Sequence, residues 1–274
     1  MIVLGVDIGG TKIACGRVNE KAEVLSRSTR PTRGAEGLEI SLEEVYRAIQ
    51  EELTPEVKAI GICSPGPLNP KTGVVLNPPN LPGWRNVPLA ALVTERFHLP
   101  CRVENDANAA GLAEALFGAA RGYSSVFYAT LSTGVGAGII LDGKIYHGKN
   151  GAAAEGGHVT IDYRSKEICN CGVPGCIEAL ASGTAIARMG PNYDLEEVAT
   201  RLGAWLGSIV SLLDPDIIVI GGGVSQIGEP LFEKLRRIVP QRTINQFANQ
   251  TPIVPARLAR DVGVVGAAAV MLGN

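Results

Sequence analysis

Ile2-Val3-Leu4-Gly5-Val6-Asp7-Ile8-Gly9-Gly10-Thr11-Lys12 opens the chain and decides how the rest is read. Residues 2–6 are an apolar run short enough for a buried strand. Asp7 to Lys12 is a turn, and residues 13–18 read as a returning strand. Residues 24–29 read as a third. Three antiparallel strands with glycines at the first turn make a sheet whose tip can cover a phosphate. Gly9 and Gly10 let backbone N–H groups face outward, and N–H groups bind phosphate oxygens. Asp7 is placed to hold Mg²⁺ through water. The opposing reading is a tight hairpin with no ligand.

The next segments alternate. Residues 36–52 have helical spacing, with Leu38, Leu42, Val45 and Ile49 on one face. Residues 57–63 read as a strand. Residues 65–84 contain six prolines and read as a stiff loop, because proline fixes φ and removes a donor. A helix over 89–98, a short strand over 102–104 and a helix over 107–117 follow. Strands over 125–132 and 138–141 then flank Thr133-Gly134-Val135-Gly136, which repeats the opening pattern. The remainder reads as a helix over 195–213, a buried strand over 216–220, a glycine loop over 221–223 and a helix over 230–239. A strand over 253–254 and a helix over 262–272 close the chain. Two βββαβα-type halves imply an α/β, two-lobed fold with a central cleft, the architecture of actin, sugar kinases and chaperone ATPases. The expected lobes are residues 1–108 with about 258–274, and residues 109–257.

Thr133-Gly134 and Gly221-Gly222-Gly223 add two more phosphate-type turns, the last opening toward a helix N-terminus. Three such turns in a two-lobed pattern point to a nucleoside triphosphate. Asn105-Asp106 lies where a strand meets a helix. Asp106 there is either the helix N-cap or a general base, the group that phosphoryl transfer to an alcohol requires. Asn105 has the donor and acceptor needed to orient a hydroxyl.

Glu155-Gly156-Gly157-His158 precedes Cys169-Asn170-Cys171-Gly172-Val173-Pro174-Gly175-Cys176-Ile177-Glu178. His158, Cys169, Cys171 and Cys176 supply the four N/S donors of a closed structural zinc site. Glu155 and Glu178 bracket them, and carboxylates suit a ligand rich in hydroxyls. A disulfide or buried thiols are the alternative for these cysteines. Cys15, Cys63 and Cys101 sit singly in apolar stretches and read as buried, reduced residues. Trp84 is either a sugar-stacking wall or a core residue.

The chain has 274 residues, 46% hydrophobic and 19% charged, so it can bury a core. Its net charge of −2 gives no footprint for nucleic acid or an anionic membrane. No basic and apolar leader and no run of about 20 apolar residues is present, so a cytoplasmic location is expected.

Together Asp7-Ile-Gly-Gly-Thr-Lys12, Glu104-Asn-Asp-Ala-Asn-Ala109, Glu155-Gly-Gly-His158 and the cysteine segment resemble the ROK family of repressors, open reading frames and sugar kinases. The resemblance spans nearly the whole chain. It implies transfer of the ATP γ-phosphate to a hexose, with Asp106 as base. It implies sugar contacts from Gly66, Asn80, Asn105, Asp106, Glu155, His158 and Glu178. Asp7, Gly9, Gly10, Thr11, Lys12, Thr133, Gly134, Gly222 and Gly223 would line the nucleotide site, with Mg²⁺. His158, Cys169, Cys171 and Cys176 would hold structural zinc. Asn80-Leu81-Pro82-Gly83-Trp84 resembles the glucokinase branch, which favours glucose over fructose, mannose or N-acetylmannosamine. A homodimer or homotetramer is implied. A non-catalytic sugar-binding regulator is the alternative within the family. The family's repressors carry a DNA-binding segment ahead of the Asp7 loop, which here starts within ten residues of Met1. The chain is short between Met189 and Leu195, where family members carry additional helix.

Overall fold

The computed structural model describes residues 1–258 and 261–273. Residues 259, 260 and 274, part of the expected return to the first lobe, lie outside the described residues. The first unit begins with β1 (Ile2–Ile8), β2 (Lys12–Asn19) and β3 (Val24–Pro31), paired antiparallel in sequence order. Then come α1 (Leu38–Glu52), β4 (Val57–Ser64), β5 (Leu68–Asn69), β6 (Val74–Val75), α2 (Leu89–Phe97), β7 (Cys101–Asn105) and α3 (Asp106–Phe117). The second unit holds β8 (Ser125–Leu131), β9 (Val135–Leu141), β10 (Lys144–Ile145), α4 (Ile177–Ala181), α5 (Gly183–Met189) and α6 (Leu195–Leu213). It ends with β11 (Ile217–Gly221), α7 (Glu229–Ile238), β12 (Ile253–Pro255) and α8 (Val262–Leu272).

The two large sheets have matching orders, β3-β2-β1-β4-β7 and β10-β9-β8-β11-β12. In each, three antiparallel strands are followed by two that join parallel. The repetition seen in the sequence is therefore a repetition of topology.

Helices α3 and α8 occupy equivalent places in the two units and pack on each other between the sheets. Small residues make that possible. Gly16, Gly5 and Gly61 are register neighbours across β2, β1 and β4. A Cβ on Gly5 would lie 1.9 Å from the Val264 carbonyl oxygen, and one on Gly61 1.8 Å from that of Ala267. The glycines form a flat track on which α8 rests its backbone. Ala109, Ala113, Ala267 and Ala269 bury the contact between the helices.

Three local expectations are corrected. The proline-rich stretch 65–84 contains the β5–β6 hairpin, which pairs Leu68 with Val75 and buries both. The turn at 133–136 is tighter than expected, closed by Ser132 N–H to Gly134 O at 2.9 Å. Gly136 belongs to β9, and its lack of a side chain lets α3 lie close, with Ala107 Cβ 3.0 Å from where its own Cβ would be. Trp84 is fully buried and donates to Ser41 Oγ at 2.7 Å, so it is a core residue and not a sugar wall. Cys15 and Cys63 are buried, but Cys101 is partly exposed at the edge of its sheet. No helix among the described residues is long and apolar enough to cross a membrane.

Candidate active site

The parallel strands of both sheets end at the same cleft, the usual ligand position in open α/β sheets. Register fixes what they deliver. Asp7 pairs with Cys63 and Cys63 with Glu104; one step on, Ser64 pairs with Asn105. Asp7 and the Asn105-Asp106 turn therefore emerge from one edge. The Asn105-Asp106 turn faces a cavity of about 640 Å³ lined by Gly66, Asn80, Asn105, Asp106, Thr133, Gly134, Glu155, His158 and Glu178.

The N-cap of α3 is not Asp106 but its neighbour. Asn105 is the N-cap of α3, and its side-chain oxygen accepts from the N–H groups of Ala107 (2.9 Å) and Asn108 (3.2 Å). Asp106 is the first helical residue and is released from the capping role. Capping also commits the Asn105 oxygen, so only its Nδ2 is left to donate, beside Gly66, where an added Cβ would lie 3.4 Å from it.

The Asp106 side chain is exposed to the open cavity that it lines, between the walls of the cleft. Protein gathered around the cleft partly desolvates the carboxyl and raises its pKa to about 6, and the charges of Asp7 and Glu155 push the same way. The Ala107 N–H, donating to Oδ1 at 2.8 Å, holds it down in part. Asp7 is also raised, by burial first, against the pull of the Cys63 thiol, Lys12 and Arg27. The thiol donates to Asp7 Oδ1 at 3.4 Å. The β1–β4 register carried that pairing, which the sequence reading passed over.

The second lobe supplies the opposite wall. Glu155, Gly156, Gly157 and His158 form a tight turn pressed onto β9. A Cβ on Gly157 would lie 1.9 Å from the Val135 carbonyl oxygen, and one on Gly156 3.2 Å from the Trp205 ring. Only glycines allow so close an approach, which sets Glu155 and His158 at the cavity with Glu155 Oε2 4.0 Å from His158 Nε2.

His158 Nδ1 lies 3.4 Å from Cys169 Sγ, and Cys171 Sγ lies 3.7 Å from Cys176 Sγ. All four ligand atoms fall within 4.8 Å of one another. Around a tetrahedral zinc, thiolate and imidazole donors are separated by about 3.5–3.8 Å. The donor set and spacing fit that metal. Cys171 and Asn170 also line the cavity, so the cysteine loop forms part of its wall.

Glu178 follows Cys176 on α4. Its Oε2 accepts from Val135 N–H at 3.0 Å, and Cys169 Sγ donates to Oε1 at 3.4 Å. A Cβ on Gly134 would sit 2.5 Å from Oε2, so Gly134 makes room for this carboxylate. Thr133 and Gly134 thus share the cavity with the carboxylates. Asp7, Gly9, Thr11, Lys12, Gly222 and Gly223 do not line it. Gly10 reaches its rim, where an added Cβ would be 3.0 Å from the Asn80 carbonyl oxygen. Gly222 and Gly223 lead into a 3₁₀ turn, Gly223–Ile227, and not directly into α7. Their N–H groups therefore belong to a 3₁₀ start. Thr184, Asn108 and the segment 151–154 also line the cavity without having been singled out.

The paired sheets, the central helices and a cleft lined by carboxylates define a two-lobed ATPase-type fold of the actin and sugar-kinase class. The chain belongs to the ROK family, whose model matches residues 3–193 and 192–274. Glucokinase from Thermotoga maritima is 33% identical over 98% of this chain and 96% of its own length. The ROK hexokinase from Thermus thermophilus superposes with a TM-score of 0.84 at 35% identity, covering 98% of this chain and 97% of that one. A ROK glucokinase from Streptomyces griseus, solved with glucose and AMPPNP, gives 0.84 at 33% identity, covering 98% and 99%.

Proposed function

We propose that the chain is an ATP-dependent glucose kinase in which Asp106 takes the proton of the sugar 6-hydroxyl. The observation that carries this reading is the release of Asp106 from capping at the bottom of the cleft, with its pKa raised to about 6. A base near the working pH is both deprotonated and willing to accept a proton. As the hydroxyl proton moves to Asp106, the sugar oxygen bonds to the γ-phosphorus. The bond from that phosphorus to the β,γ-bridging oxygen breaks, and ADP leaves.

Asn105 Nδ2, Glu155, His158 and Glu178 orient the sugar by complementary hydrogen bonding, and Gly66 and Asn80 close the first-lobe side. Residues Gly9 to Lys12 and Thr133-Gly134, with Gly222-Gly223, serve the phosphates through backbone N–H groups. Asp7, a half-buried carboxylate at the same sheet edge, would hold Mg²⁺, which would neutralise charge on the phosphates. We take the two lobes to divide at the start of α3, with α8 returning to the first.

His158, Cys169, Cys171 and Cys176 would hold zinc, which fixes the cavity wall. His158 Nδ1 faces the sulfur cluster, so Nε2–H is directed to Glu155 and the cavity. Zinc requires Cys169 as a thiolate, which has no proton to give. Glu178 Oε1 is then left to accept a sugar hydroxyl.

The test is ADP release with Mg-ATP across glucose, mannose, fructose, N-acetylglucosamine and N-acetylmannosamine. Turnover with glucose well above the others is expected. Turnover led by another hexose keeps the chemistry and rejects the sugar. Glucose binding with no ADP above background would mark a sugar-binding regulator.

A further inference from the structure

The residue before the Asn105-Asp106 turn is Glu104, whose side chain is 4% exposed. A buried carboxylate must find donors or carry a large desolvation cost. Glu104 finds three. Its Oε1 accepts from Asn105 N–H at 2.9 Å and from Asn108 Nδ2 at 3.1 Å. Its Oε2 lies 2.7 Å from His147 Nε2. A carboxylate only accepts, so Nε2 carries the proton. Two donors thus belong to the segment that presents Asp106. The third comes from the second lobe, just after β10. The His147 carbonyl in turn accepts from Ala153 N–H at 3.1 Å, on the stretch leading to Glu155.

We propose that His147 is a positioning residue: acting through Glu104, it holds the Asn105-Asp106 turn in register with the Glu155–His158 wall. This rests on the reading of Asp106 as base. The pair lies behind the catalytic turn, in a second cavity of about 460 Å³. The charged groups lining that cavity are Lys71 from the β5–β6 hairpin, Arg102 and Glu104 from β7, Lys144 from β10, and His147. Glu104 is the one acidic side chain among the described residues that line it, and it offsets surrounding positive charge. The Glu104 hydrogen bond raises the proton affinity of His147, against burial and against Lys71. A raised imidazole pKa means His147 is charged at pH below the ordinary imidazole range, where it meets the Glu104 carboxylate as an ion pair. It weakens as pH rises through the His147 titration.

The experiment compares His147→Ala, His147→Gln and Asp106→Ala in steady-state turnover, with circular dichroism to confirm folding. His147→Ala is expected to lower kcat/KM for the hexose about tenfold, with KM for ATP within about twofold, the scale of a modest misplacement of reacting groups. The glutamine amide still donates to Glu104, so His147→Gln recovers most of the loss at pH 7. Its activity also lacks the decline with rising pH that His147 gives the parent. The proposal is overturned if His147→Ala stays within about twofold of the parent, or if glutamine is no better than alanine. If the alanine variant does not fold, the glutamine pH profile decides. An active Asp106→Ala would sink the base assignment. An inactive Asp106→Ala beside a normal His147→Ala would sink only the positioning role.

Discussion

The β1–β2 turn and the β8–β9 turn hold equivalent places in two sheets of the same order, yet they carry different chemistry. Near the first, Asp7 ends among a thiol and more distant cations, with its proton affinity raised by burial. At the second, Gly134 yields its space to Glu178, which is anchored by Val135 N–H. The units differ most after their third strands. In the first, β3 leads through a short turn to α1. In the second, residues 146–194 intervene before α6, and they hold His158, Cys169, Cys171 and Cys176 together with Glu155 and Glu178. Topological repetition builds a cleft. On the proposed reading the unequal insertion divides the labour: the base and part of the sugar site come from the first lobe, the Glu155–Glu178 wall and the cysteine cluster from the second.

Removing the first lobe's contribution gives the largest expected effect. Asp106→Ala should lower kcat by about 10²–10⁴-fold, the usual worth of a general base, while the variant stays folded. Steady-state ADP release measures it. A variant keeping about a tenth of parental kcat would remove proton transfer from the first lobe's share.

The second lobe's share is tested by Cys176→Ser, which should lose the metal and destabilise residues 146–194. Even about 4 kcal/mol lost, well below zinc affinities in small peptides, lowers Tm by roughly 8–16 °C in a chain of this size. Elemental analysis, thermal melting and limited proteolysis check it. Full zinc content with an unchanged Tm would contradict the metal assignment.

The smallest effect concerns Ala154, a non-glycine residue at φ +66° beside Glu155. Left-handed backbone costs an alanine about 1–2 kcal/mol, partly offset by the greater freedom glycine loses on folding. Ala154→Gly should therefore raise stability by about 1 kcal/mol or less, measured by denaturant unfolding. A loss of stability would mean that the turn gains more from the methyl group than it loses in strain.

Much of this was legible in the sequence because the signals were local. Apolar runs closed by glycine gave β1, β2, β8 and β9, and the repeated turn gave the two halves. The His and Cys spacing announced a four-ligand cluster whose atoms the fold does gather. What stayed hidden depended on register or on competition between neighbours. Either Asn105 or Asp106 is a good cap by type, and only the backbone shows that Asn105 takes the role. The Asp7–Cys63 contact follows from parallel pairing across 56 residues. His147 gives no local signal, because its partner Glu104 lies 43 residues away on the other sheet. Trp84 carried no periodicity to separate a core residue from a wall.

The central claim, that Asp106 acts as base with a pKa raised by the cleft around it, is tested most directly by the pH dependence of kcat/KM for glucose at saturating Mg-ATP. A raised pKa keeps the base deprotonated only above about pH 6. Activity should then be level just above that point and fall about tenfold per pH unit below it. A profile that stays flat down to about pH 4.5, the range of an ordinary carboxylate, would contradict it.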